Sequence, residues 1–389
     1  MYAFAVAALT IAGCQTTANL EADQTTASAS AAAPEPEKPP ERFPKPETVR
    51  GIYLTAWVAG GSDSLTARLE LVGRTELNAV VIDVRDAGWN YWKNDVARSA
   101  AAGANKIAIA NGARVMDRVQ EFGVYPIARI ACFRDRPVPE KFPQYAIQNA
   151  STGKPWKDTG GYTWLDPYNK DNWEYIASFV DLALDHGFPE IQLDYVRFPS
   201  EGRVSTMSFP AKKSYPNPEA TPTEVIAAFG QFIRERVKKR GAILSADIFG
   251  IVSSGSGDQG IGQALETVVE PFDLVCPMVY PSHYAKGEYG IKDPNRSPYE
   301  IVLKSLSDYR RRLPDKHIRP WLQDFSLYGV PYGKAEVQAQ IKAAKECGYE
   351  EYLLWNAQTK YTESAVVDTS HLSPKPKPVP TPSAQASSP

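Results

Sequence analysis

The chain has 389 residues, of which 43% are hydrophobic and 23% charged, and its formal net charge at pH 7 is −2. Such a chain is long enough for one large domain or two ordinary ones, and the composition is that of a globular protein. The balanced charge offers no basic field to hold a phosphate backbone, which argues against nucleic acid as a partner.

The chain opens with MYAFAVAALTIAGC, an apolar run too short to span a bilayer stably. Its Ile11-Ala12-Gly13-Cys14 ending resembles a bacterial lipobox, although no Lys or Arg precedes Cys14. Residues 1–14 are therefore expected to be a lipoprotein-type signal segment with Cys14 the lipidated residue. A lipid anchor would be the only membrane contact and would place the protein in the cell envelope (outer membrane or periplasm), with secretion the other option. Residues 15–46, rich in Ala, Thr, Ser, Pro and Glu, read as a disordered linker, and residues 373–389 as a disordered Pro/Ser tail. Residues 47–372 carry no second linker and are expected to form one domain.

Within that domain eight β-rich runs follow one another: 51–57, 79–86, 125–133, 190–198, 242–250, 272–281, 318–325 and 351–358. They are nearly continuous apolar runs, as strands buried on both faces require. Amphipathic helical patterns separate them. Residues 169–187 place Trp173, Ile176, Phe179, Val180 and Leu184 at helical spacing and stop at Gly187. Residues 221–241 have Thr223 as the expected N-cap and Gly241 as the stop. This alternation predicts the α/β class and a (β/α)8 TIM barrel, with disordered tails at both ends. A doubly wound sheet would show a Gly-rich phosphate turn after its first strand, and TAWVAGGSDS (55–64) is not one.

In such barrels the site forms at the carboxyl ends of the strands. Those ends carry Trp57, then Asp83, Arg85 and Asp86, then Arg129, then Asp194 and Arg197. Asp247, Tyr280, the group Trp321, Gln323 and Asp324, and finally Trp355 and Asn356 complete the ring. Glycoside hydrolysis needs two carboxyl groups flanking the scissile bond. Asp194 and Asp247 close neighbouring strands and are the candidate pair. Arg197 is expected to hold Asp194 ionised, and the apolar setting of Asp247 to raise its pKa. Asp83 and Arg85 share side-chain parity and are expected either to pair with each other or to contact substrate. Arg129, deep in its strand, reads as the partner of an interior carboxylate. The long loop 134–165 carries Trp156 and Trp164, read either as a sugar-stacking wall or as a self-packed loop core.

The four cysteines (Cys14, Cys132, Cys276, Cys347) form no CxxC pair and the four histidines are scattered, so neither metal nor cofactor is expected. Cys132 and Cys276 read as buried thiols. Nothing in the pattern points to an oligomeric state.

The motifs IDVRD (82–86), WLDPYN (164–169), EIQLDYVRFPSEG (190–202), LSADIFG (244–250) and CPMVYPSHY (276–284) together resemble the bacterial putative glycoside hydrolase domain family. That family is classed as a domain of unknown function and is distantly related to the α-amylase-type barrels. The likeness spans roughly residues 49–360 and implies a glycosidase acting on a polysaccharide or oligosaccharide of the envelope or the exterior. It also implies a nucleophilic Asp at strand four and an acid/base at strand five, which match Asp194 and Asp247, with Asp324 a third acid. The sequence departs from the α-amylase pattern by having Asp rather than Glu at strand five. Gln192 also stands where an Arg usually precedes the strand-four Asp. Trp57, Asp83, Asp86, Trp164, Arg197, Tyr280, Trp321, Gln323, Trp355 and Asn356 are the expected substrate contacts. A non-catalytic carbohydrate-binding barrel and an envelope-anchored scaffold are the alternatives.

Overall fold

A computed structural model describes residues 42–367. Cys14 and the Pro/Ser tail lie outside the described residues. Eight parallel strands form the core: β1 (Arg50–Leu54), β2 (Ala79–Asp86), β3 (Tyr125–Ala131) and β4 (Glu190–Asp194). They are followed by β5 (Ile243–Phe249), β6 (Leu274–Met278), β7 (Trp321–Gln323) and β8 (Tyr352–Trp355). Each pairs with its sequence neighbours, and β1 pairs with both β2 (Ile52 with Val80) and β8 (Ile52 with Leu354), so the sheet closes on itself. The expected (β/α)8 barrel is the observed fold.

Continuous burial explains the continuous apolar runs. Every residue of β3 and β4 is buried, because one face meets the barrel interior and the other the surrounding helices. Those helices include α1 (Ser62–Gly73), α2 (Gly112–Glu121), α3 (Lys170–Asp185) and α4 (Pro222–Lys239). A short α5 (Leu265–Val268), then α6 (Pro298–Arg312) and α7 (Lys334–Glu346) complete the layer. The side chain of Asn169 caps α3, and Gly187, at φ 83°, follows its end. The cap of α4 is Thr221 rather than the expected Thr223. Pro222 has no amide to donate and fits the first helical position, so the capping box forms two residues earlier, between Thr221 and Glu224.

Three further departures from the sequence pattern are seen. Between β2 and α2 the chain leaves the barrel, and two short strands (Trp89–Trp92 and Asn105–Ile109) extend the sheet outward. The seventh run is broken: His317–Ile318 pairs with β6, Pro320 cannot donate, and pairing resumes at Trp321. Phe43, which the sequence places in the linker, is buried in the core.

The lower end of the barrel interior is filled by a buried ion cluster. Arg319 donates to Glu190 and to Glu351, each at 2.8 Å, and Ser245 donates to Glu190 at 2.7 Å. His317 meets Glu351 at 2.9 Å.

Candidate active site

The upper end carries a second cluster, built by the last residues of β1 to β4. Asp83 is opposite Arg129 in the β2–β3 register, and Ala131 is opposite Asp194 in β3–β4. Arg129 thereby reaches both neighbours. Its Nη1 donates to Asp83 Oδ1 at 2.6 Å, while its Nε and Nη2 donate to Asp194 Oδ2 at 3.0 and 2.6 Å. Longer contacts of 3.3 Å run to Asp86 Oδ1. Tyr53 donates its hydroxyl to Asp83 from β1. Tyr53 also stacks on Trp355 at 4.1 Å, with the Arg129 guanidinium 5.2 Å from that indole ring.

The residue after Asp194 is strained. Tyr195 has φ 49°, a left-handed conformation costly for an aromatic side chain, and its amide donates to Asp194 Oδ1 at 2.6 Å. The turn thus directs a backbone donor onto the carboxylate that Arg129 already holds.

Asp247 completes the group from β5. Leu193 pairs with Ala246, so Asp194 and Asp247 follow at the next position of adjacent strands, whose backbones run about 4.8 Å apart. Both open into a cavity of about 370 Å³ lined also by Phe249, Tyr280, His283, Trp321 and Trp355. The indole of Trp321 donates to Asp247 Oδ1 at 2.7 Å, and this carboxyl forms no salt bridge among the described residues. Burial, and after it the negative charge of Asp194, push the Asp247 carboxyl well above its ordinary range. Asp83 is raised to about 7, because burial outweighs the opposing charge of Arg129. Burial also raises the Tyr280 hydroxyl and lowers His283.

Several expected contacts fall elsewhere. Asp83 and Arg85 do not pair: the register shifts between them, and this bulge turns Arg85 out toward α3, where it meets Asp135 and the rings of Tyr175 and Phe179. Arg197 is not the hydrogen-bond partner of Asp194. Its guanidinium donates to Phe198 O at 2.9 Å and lies over the rings of Phe249 and Trp164, while Arg129 takes the place expected of it. Arg197 still lines the cavity.

Trp156 and Trp164 are only 2% exposed, their indole nitrogens spent on Arg203 O and Asp158, so loop 134–165 packs on itself and on the loop that follows β4. Asp324 gives both oxygens to Thr362, accepting its amide at 2.8 Å and its hydroxyl at 2.7 Å, and so anchors the segment after β8. Gln323 is wholly buried and ties Ser282 N to Phe325 O. Asn356 braces the turn after β8 by donating to Asp324 O, and it also lines an outer cavity beside Trp355. Trp57 and Asp86 line a third cavity, over β1 and β2.

Sequence reasoning missed Tyr53, Tyr195, His283 and Glu201, all at the mouth. Tyr53 was legible as an inward residue of the first run. Glu201 and His283 sit in irregular loops where no periodicity marks their direction. Among the described residues no group of His, Cys, Asp and Glu is arranged to hold a metal ion. Cys132 and Cys276 are buried free thiols, as expected.

Residues 51–361 match the family described as "Putative glycosyl hydrolase domain". The chain belongs to that family. Its glycosidase-type function and its barrel therefore agree with the sequence reading. Among solved structures, a hypothetical protein from Ruminiclostridium thermocellum ATCC 27405 is 34% identical, covering 50% of this chain and 96% of its own, with a TM-score of 0.45. The PgaB (BpsB) glycoside hydrolase domain from Bordetella bronchiseptica is 14% identical, covering 82% of this chain and 99% of its own, with a TM-score of 0.63. The α-galactosidase TtGalA from Thermus thermophilus, solved with stachyose, is 17% identical, covering 82% of this chain and 64% of its own, with a TM-score of 0.51. The last two share the fold. No curated protein sequence matches the chain.

Proposed function

We propose that the chain is a retaining glycoside hydrolase in which Asp194 is the nucleophile and Asp247 the general acid and base. The observation that carries this reading is the placement of the two carboxyls at the same level of adjacent strands, one residue past the Leu193–Ala246 pair, both facing one cavity. Adjacent strands bring the two carboxyls near each other, and Asp247 feels the charge of Asp194, which favours the short separation of retaining enzymes, roughly 5–5.5 Å, over the wider gap that inversion needs for a water. Asp194 attacks the anomeric carbon while Asp247 passes its proton to the leaving oxygen, giving a glycosyl–aspartyl ester and the released alcohol. Asp247, now a carboxylate, takes a proton from the water that cleaves the ester, which restores both groups. Arg129 and the Tyr195 amide orient Asp194, and the Trp321 indole orients Asp247.

The substrate is an oligosaccharide or polysaccharide of the cell envelope. That reading is supported by the aromatic lining of the mouth and by the lipobox-like Ile11–Cys14 segment in the sequence. A lipid anchor at Cys14 would hold the barrel near such glycans.

Asp194→Asn separates this reading from a barrel that only binds sugar. The variant is expected to lose turnover on a polysaccharide panel while still being retarded in affinity electrophoresis. Hydrolysis at the wild-type rate would sink the assignment. Proton NMR of the first product is expected to show the anomer of the substrate, and the opposite anomer would rule out retention.

A further inference from the structure

Three cavities meet at the mouth, and one indole, Trp355, lines them all. The central one, about 370 Å³, holds Asp194 and Asp247. The second, about 300 Å³, lies over β1 and β2, is lined by Tyr53, Trp57, Asp86 and Tyr91, and shares Arg129 and Tyr195 with the centre. The third, about 580 Å³, lies over β7 and β8, is lined by Phe325, Asn356 and Lys360, and shares Tyr280 and His283 with the centre. The three therefore lie side by side around Trp355, with the carboxyl pair in the central one. Each alone falls within or near the roughly 300–1,000 Å³ of a whole small-molecule site.

An exposed ring lines one flank and another adjoins the other flank. Of the five large hydrophobic side chains exposed among the described residues, two are aromatic: Trp57, 60% exposed, and Tyr328, 80% exposed. Trp57 lines the β1–β2 flank beside Tyr91, with ring centroids 6.3 Å apart. Tyr328 follows Leu327, which lines the β7–β8 flank. Its φ of 53° is a strained conformation for a tyrosine, imposed by the Leu327–Val330 turn that Asn295 braces through a 3.0 Å bond to Leu327 O. A ring left 80% exposed on a strained turn contributes little packing to the fold, and flat faces at both ends suit sugar rings.

We infer that the mouth is an open cleft of at least three sugar subsites running from Trp57 past Trp355 to Tyr328, so that cleavage falls inside a glycan chain rather than at its end. A pocket that took only a terminal unit would be walled on one side of the carboxyl pair. This inference rests on the assignment of the carboxyl pair made above, but its test does not.

The test titrates the full-length chain, by quenching of tryptophan emission, with four oligosaccharide series of one to six units. These are α-1,4-glucosyl, β-1,4-glucosyl, β-1,4-N-acetylglucosaminyl and α-1,4-galactosyl chains. In at least one series affinity is expected to rise tenfold or more from one unit to three. Trp57→Ala and Tyr328→Ala, both at exposed positions, are expected to lose several-fold more affinity for the six-unit ligand than for the two-unit ligand. A monosaccharide that binds as tightly as the six-unit chain overturns the cleft, and so does the failure of every series to bind. If affinity rises with length while Asp194→Asn still hydrolyses normally, the carboxyl assignment fails and the cleft stands. If Asp194→Asn is inactive but affinity is flat with length, the cleft alone fails.

Discussion

The two ends of the barrel interior hold similar groups in different balance. At the lower end one guanidinium, Arg319, faces two carboxylates, with Ser245, Tyr125 and His317 supplying further donors. Burial opposes the charge of Glu351, yet His317 and Arg319 hold it down to about 2. At the upper end Arg129 serves Asp83, Asp86 and Asp194, and Asp247 has only an indole N–H. There burial wins, and Asp83 and Asp247 are raised instead. Enough cations make buried carboxylates into a plug; too few leave protons in place for chemistry.

The largest effect should come from the upper end. Asp194→Asn is expected to lower kcat by at least about 10⁴-fold, at or beyond the top of the roughly 10²–10⁴ that a proton-transfer residue supplies. Circular dichroism should show the fold intact, and near-normal turnover would mean the carboxylate excess there has no catalytic use. Asp247→Asn should cost about 10²–10⁴-fold with a sugar leaving group and less with a 4-nitrophenyl leaving group, which needs no proton. It should also remove the alkaline limb of the kcat/KM profile, because the wild-type acid works only while it keeps its proton. Equal losses on both substrates would argue against an acid role.

The lower end should respond in stability rather than in chemistry. Arg319→Met leaves Glu190 and Glu351 buried without their cation, and urea titration at pH 7 should show a loss of about 3–5 kcal/mol. A neutral substitution there would mean the plug is dispensable.

The ends should also answer pH in opposite senses. Glu351 is lowered in the fold, so its contribution is present above its unfolded pKa and lost as pH falls from 4.5 toward about 2. Asp83 is raised, so its contribution is full below 3.8 and lost as pH climbs to about 7, by up to about 4 kcal/mol. Urea midpoints measured across pH should lose the second slope in Asp83→Asn; a slope that persists would place its origin elsewhere. The smallest effect is expected from Trp164→Phe. It removes a bond to Asp158 and should lower stability by about 1 kcal/mol, with kcat/KM nearly unchanged. A large fall in affinity would return Trp164 to the sugar-binding wall.

Much of the upper end was legible along the chain. EIQLDYVRFP showed an apolar strand meeting a charge where it stops, and LSADIFG showed its neighbour, because continuous burial leaves a local apolar signature. Partnership was not legible. Arg197 is near Asp194 in sequence, yet Arg129, one strand away, makes the bond because parallel register sets it beside Gln192, two residues before Asp194, from where its long side chain reaches the carboxylate. The Asp83–Arg85 parity failed because a one-residue bulge reverses facing, and no residue type announces it. Asp324 looked like a catalytic acid from its position, but a threonine 38 residues away occupies both of its oxygens.

The ring of eight strands, their order and the carboxylates that close strands four and five could be read along the chain, since strand and helix periods are set by nearest neighbours. Which cation neutralises which carboxylate, which aromatics are buried and which are offered to solvent, and how three cavities gather around Trp355 emerge only in the folded barrel. Those outcomes depend on register, on one bulge and on loops that come together only when the barrel closes, and Coulomb and packing energies depend on such distances rather than on order along the chain.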